Sequence, residues 1–282
     1  MTMKRQGMRS MAVVLVVAAL AGAGLAWAQL GGVVETAASG GVDWTKGMVT
    51  ATGFGAPPPN AVNASQARAL AERAAFLVAT RNLLEVVKGI RVDSATLVEN
   101  MIVSSDVIKT EVSGFVQGAQ ILKKQAHPDG SVEVLVGMKL NGDFSNALLP
   151  QSGGMPEVVP IPQGQAPPPT AFTGLIVDAR GTGVRPAVAP KIRNEEGREV
   201  YGSAFVNRQY AVEQGMVGYL KDVESAKGNP RVTDRPLMVK ALKTDGPNKT
   251  DLVISNSDAQ VLHGMKEHLT FLEKARVMVI LD

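Results

Sequence analysis

"GLIVDARGTGVRPAV", residues 174–188, is the stretch whose reading decides the fold. An apolar run, Leu175-Ile176-Val177, ends in Asp178 and then in two glycines spaced G-x-G. A strand that feeds a phosphate-cradling loop begins this way. A dinucleotide fingerprint also needs a third glycine for close helix–strand packing and a helix opening directly behind it. Pro186 stands at that third position, and Pro190 stops any helix of useful length. No Lys-Ser/Thr pair follows, so the loop is not of the Walker type either. The stretch reads as the first strand of a C-terminal domain, running through a Gly-Pro loop into a hairpin. Asp178, Arg180 and Arg185 are its candidate contacts to a ligand or partner.

Just upstream, residues 150–170 hold seven of the chain's 16 prolines and one charged side chain, Glu157. Such a composition favours extended polyproline geometry and cannot build a packed core, so it reads as a linker. It divides an N-terminal domain, 42–149, from a C-terminal one, 171–282. The expected class is α+β: two small domains, each an antiparallel or mixed sheet packed by helices.

In the first domain, residues 47–55 read as a strand. A helix over 64–88 follows, with Asn63 as N-cap, Gln66 completing a capping box and Gly89 as a C′ glycine. Ala67, Leu70, Ala71, Ala74, Leu77, Val78 and Leu84 recur at helical spacing and are its expected core face. One or two short helices are expected over 94–112. Two strands, 114–126 and 131–140, should then pair across the His127–Gly130 turn. In the second domain, a hairpin over 190–202 turns near Asn194–Gly197. Residues 207–227 read as helical, and 237–243 and 251–255 as strands. A helix capped by Ser257 and Gln260 should run to about Lys274, and 276–281 suits a buried strand.

Lys4, Arg5 and Arg9, an apolar run from Met11 and the small-x-small triplet Ala26-Trp27-Ala28 form a secretory signal peptide over 1–28. The expected location is periplasmic or secreted, with cleavage after Ala28; uncleaved, this segment is the expected membrane contact. The chain has 29 Lys and Arg against 26 Asp and Glu. The leader takes three of the cations and no acid, so the rest is balanced, and nucleic acid is not an expected partner. The chain contains no cysteine, so neither disulfides nor a lipid-bearing Cys is available.

The candidate chemistry is sparse. Of three histidines, His263 and His268 lie five apart and point to different helix faces, unlike a zincin pair, so they read as solvated. Glu195-Glu196 read as solvated charge at a hairpin tip. Asp251 and Asp258 lack the pattern of a cation loop, and Ser104-Ser105 before Lys109 has no nucleophile–base logic. The expectation is a protein that is not an enzyme and has no cofactor or metal.

The segment "ARALAERAAFLVATRNLLEVVKGIRVDSATLVENM", with "SSDVIKTEVSGFVQGAQILKKQAHPDGSVEVLVGMKL", resembles the bacterial LPP-twenty lipoprotein family and the N-terminal domain of flagellar assembly protein T. The likeness covers about residues 53–140. It implies an envelope location and non-enzymatic roles, ring building among them in the flagellar relatives, whereas lipid anchoring does not carry over without the cysteine. The functional expectation is an exported, non-catalytic envelope protein acting through contacts with other envelope proteins. The alternative is a small-ligand or glycan-binding module with its site between the two domains.

Overall fold

The computed structural model describes residues 32–150, 171–264 and 266–282. The leader and all of the proline-rich linker beyond Pro150 lie outside them.

The N-terminal half is an antiparallel sheet under one long helix. Its strands are β1 (Val34–Ala37), β2 (Gly40–Asp43), β3 (Met48–Gly55), β4 (Gln120–Ala126) and β5 (Val132–Lys139), in the order β1-β2-β3-β5-β4. The helix α1 (Ala64–Lys88) has the expected bounds, with the Asn63 side chain accepting from the Gln66 N–H at 2.8 Å. Gln66 reaches back to the Val62 N–H, one residue earlier than a capping box requires. Gly89 ends the helix in a right-handed conformation, so it does not supply the expected left-handed C′ cap.

The buried face of α1 coincides with the expected one only at Ala71. Ala71, Ala75, Ala79, Leu83 and Val87 are buried at strict four-residue spacing, while Leu70 and Leu77 face outward, 41% and 59% exposed. The reason lies in β3. A Cβ on Gly53 would come within 2.3 Å of the Ala75 carbonyl, and one on Gly55 within 2.0 Å of the Ala71 carbonyl. Glycine below and alanine above let backbones approach this closely, and larger side chains are turned away.

After α1 come α2 (Val98–Ser104) and α3 (Asp106–Gln117), which takes residues 114–117 out of the expected strand. The β4–β5 turn forms as expected, with Gly130 at φ +82°. Two strands, β1 and β2, begin before residue 42, the expected start of the domain, and a short α4 (Asp143–Leu148) closes this half.

The mixed sheet expected in the C-terminal half resolves into two sheets. Strands β6 (Gly174–Asp178), β9 (Gly218–Leu220), β10 (Pro236–Lys240) and β13 (Val277–Ile280) form a wholly parallel sheet, ordered β10-β6-β13-β9. A smaller mixed sheet, β11-β12-β7-β8, joins β7 (Ile192–Arg193), β8 (Glu199–Tyr201), β11 (Lys243–Asp245) and β12 (Asp251–Val253). The region read as one helix holds α5 (Arg208–Gln214), then β9, then α6 (Val223–Lys227). The last helical region is α7 (Asn256–His263) and α8 (Lys266–Glu273), and its N-cap is Ser255, reciprocated by Asp258, instead of Ser257.

Parallel sheets are buried on both faces, and this one follows the rule. Ile176, Met278 and Ile280 pack with Ala226 and Val232 on one side. Leu175, Val177, Val277 and Val279 face the other way, into a core continuous with Leu83, Val134 and Phe144 of the N-terminal half. The protein is thus α+β with its sheets in separate regions, but residues from Gly32 onward form one compact unit.

Candidate functional site

The residues singled out from the sequence do not meet at one point. Asp178 ends β6, and its carboxylate receives two charge-assisted bonds from Arg180, 2.8 and 2.6 Å. Hydrogen bonding from Arg180 holds the Asp178 carboxyl below the usual range. The Gly181 N–H donates to the Asp282 carboxylate at 3.0 Å. These groups lie at the carboxyl ends of the parallel strands, where open parallel sheets bind ligands. The Asp178 and Arg180 charges, however, are spent on each other.

Arg185 belongs to a different structure, a latch between the halves. Its guanidinium lies 3.7 Å from Glu35 of β1. Glu35 Oε2 also accepts from Trp44 Nε1 at 2.9 Å and pairs with Arg91, whose Nε donates to the Pro186 carbonyl at 2.8 Å. Arg91 is only 5% exposed while the Glu35 side chain is partly exposed, so the ion pair is shielded from water on its arginine side alone. Next to it the loops join strand-like: Val188 and Ala189 donate to the Arg91 and Val92 carbonyls, and Asn248 donates to Ser94. Farther along, Gly142 donates to Val212, and Arg208 binds Asn146 and the Leu149 and Pro150 carbonyls at the end of α4.

Beside the latch a cleft of about 100 Å³ opens between the halves. The β2–β3 turn contributes Trp44, Thr45, Lys46 and Gly47; the segment after β5 contributes Asn141 and Ser145. The C-terminal half contributes Gln214, Tyr219 and Arg231. Trp44 meets Tyr219 edge-on, with ring centroids 5.8 Å apart, and Thr45 donates to the Tyr219 carbonyl at 2.8 Å. The Tyr219 hydroxyl both donates to the Ala187 carbonyl and accepts from its N–H. Burial pushes the Tyr201 and Tyr219 hydroxyls up, so both remain donors at neutral pH. None of the cleft's polar residues stood out in the sequence. Ser145 sits in α4, Gln214 ends α5, Tyr219 lies in β9 and the others sit in loops, and only the tertiary fold brings these segments together.

The remaining candidates serve the fold. His268 is completely buried and His263 half-buried, correcting the solvated reading. His268 Nε2 accepts from the Phe172 N–H at 3.1 Å, which places its proton on Nδ1, toward the Val261 carbonyl. His263 bonds the Val200 carbonyl at 2.8 Å. Glu195 caps α7 by accepting from the Asn256 N–H. Asp251 is buried in the small sheet, accepting from the Lys191 N–H at 3.1 Å, and burial raises its carboxyl. Ser105 caps α3 and Ser104 bonds within α2. Among the described residues no three acidic or imidazole side chains converge as on a metal ion, and no helix is long and apolar enough to cross a membrane.

One outward-facing feature stands apart. β4 is the edge of the N-terminal sheet, and all seven of its residues are exposed, Ile121 and Leu122 included. A bulge between Ile121 and Lys123 places Leu122 over Gly137.

Residues 174–282 match the family model described as the second domain of Treponema pallidum Tp0624. The match begins at the first residue of β6, so the matched segment contains both the parallel sheet and the small sheet. No curated protein matches the chain.

Proposed function

We propose that the protein is an exported, non-catalytic component of the bacterial cell envelope that acts by protein–protein contact, taking an extended segment of an envelope partner onto the free edge of β4. The observation that carries the reading is that edge: seven exposed residues on a strand that, among the described residues, has no neighbour on its outer side. Strand addition draws affinity from main-chain hydrogen bonds and selectivity from alternate side chains. Pairing with a second copy in antiparallel register would set Lys123 and Lys124 against the same lysines, a common guard against self-association. A hetero-partner meets no such repulsion. The leader over 1–28 and the resemblance over 53–140 supply the envelope setting.

A photo-crosslinking residue at Gln125 of β4, compared with one at Arg81 on α1, tests the reading in the native envelope. Adducts with one defined protein from Gln125 alone, lost when Ile121→Pro is added, are the expected result. Equal labelling from both positions, or none from β4, refutes it.

A further inference from the structure

The lining of the cleft contains two cations, Lys46 and Arg231, and no carboxylate. Arg231 donates from Nε to the Ala275 carbonyl at 2.7 Å, from Nη1 to Gln214 at 2.9 Å and from Nη2 to Gly215 at 2.5 Å. Two of these carbonyls end α5 and its cap, so part of its role is to close that helix. Carbonyl dipoles carry no net charge, however, and a guanidinium has five N–H groups, so Nη1 and Nη2 each keep one. Among the described residues Arg231 pairs with no Asp or Glu, and burial pushes its guanidinium down from its ordinary value. A desolvated cation without a counter-charge is costly unless something anionic completes it.

The other polar groups of the cleft suit the same occupant. The Asn141 side-chain amide lies beside Gly47, near enough to meet a Cβ there at 3.4 Å, and makes no hydrogen bond among the described residues. Lys46 stands at the mouth, its side chain 63% exposed and 3.5 Å from Asp43. At about 100 Å³ the space is enough for one carboxylate or phosphate group.

We propose that this cleft is a binding site for a small oxyanion, a carboxylate or phosphate group, held by the free N–H groups of Arg231 and the amide of Asn141 with Lys46 at its mouth. Asn141 and Lys46 come from the N-terminal half and Arg231 from the C-terminal half, so the bound anion bridges them. Occupancy therefore tightens the same contact that the Glu35–Arg91 latch makes.

Thermal unfolding of the full chain at constant ionic strength, titrated with sodium acetate, sodium phosphate or sodium chloride, tests this. Acetate or phosphate should raise the midpoint along a saturating curve that chloride does not reproduce, as expected for a ligand of the folded state. Acetate alone identifies a carboxylate source, phosphate alone a phosphate source. Lys46→Met and Asn141→Ala should each weaken the apparent affinity about tenfold, the size expected for one charge-assisted contact. Both leave the Arg231 pins intact, so loss of folding does not confound them, and Asp178→Asn, remote from the cleft, should change nothing. A midpoint that responds alike to all three salts, or a response unchanged in both variants, overturns the proposal.

Discussion

The N-terminal sheet lies under a helix set so close that β3 carries no side chain at Gly53 or Gly55, whereas the parallel C-terminal sheet is covered on both faces by full-sized aliphatic residues. The first half gains its packing from backbone proximity and a narrow alanine stripe. The second gains it from volume: Leu175, Ile176, Val177, Val277 and Ile280 are all completely buried. One arrangement tolerates no added atom, and the other tolerates no missing one.

The sharpest way to break this contrast is to add atoms where none fit. Gly55→Val places side-chain carbon against the Ala71 carbonyl and the Ala75 N–H, backbone that cannot yield without displacing α1. The expected cost exceeds about 3 kcal/mol, beyond ordinary overpacking. A urea midpoint within error of wild type would show that the close approach is not real. The complementary change removes atoms: Leu175→Ala should cost about 2–5 kcal/mol, and Leu83→Ala a similar amount on the helix side. Because both side chains belong to one continuous core, each substitution should shift a single transition.

The latch should rank next. Arg91→Met keeps the buried stem but strips Glu35 of its main partner and leaves the Pro186 carbonyl unpaired. About 2 kcal/mol is expected, since Glu35 is partly exposed and water recovers some of the loss. A smaller effect concerns pH. Burial lowers the His263 pKa below its ordinary 6.5, so the unfolded chain binds the proton more readily than the folded one. This contribution to stability is present above about pH 6.5 and is lost as pH falls toward the folded value. His263→Gln retains an N–H for the Val200 carbonyl and should flatten that part of the stability–pH curve. The smallest change is a gain: Gly114→Ala, mid-helix in α3 with nothing within 4 Å, should stabilise by about 0.5–1 kcal/mol.

How much of this was legible differs between the halves for the same physical reason. The bounds of α1 were readable because Asn63 and Gln66 act locally. Its buried face was not, because hydrophobicity favours Leu70 and Leu77, and only the glycines of β3 select the alanine stripe. In the C-terminal half β6 and β13 declared themselves as apolar runs. β9 did not: Gly218-Tyr219-Leu220 is a strand only because β13 lies beside it. The functional surface shows the same limit. Asp178 and Arg180 were conspicuous but satisfy each other, while Arg185 was conspicuous and became part of a latch. Trp44, Asn141 and Arg231 carry no motif, and nothing short of the assembled fold places them around one cleft.

The central claim is that these two differently built halves form one cooperative body, joined through the Glu35–Arg91 latch, the paired loops and a shared core. Native-state hydrogen exchange with increasing denaturant tests it most directly, by following the amides of Leu83 and Val87 in α1 and of Val277–Ile280 in β13. The account expects both sets to converge on the same opening free energy and the same denaturant dependence. Two distinct plateaus, one for each sheet, would contradict it.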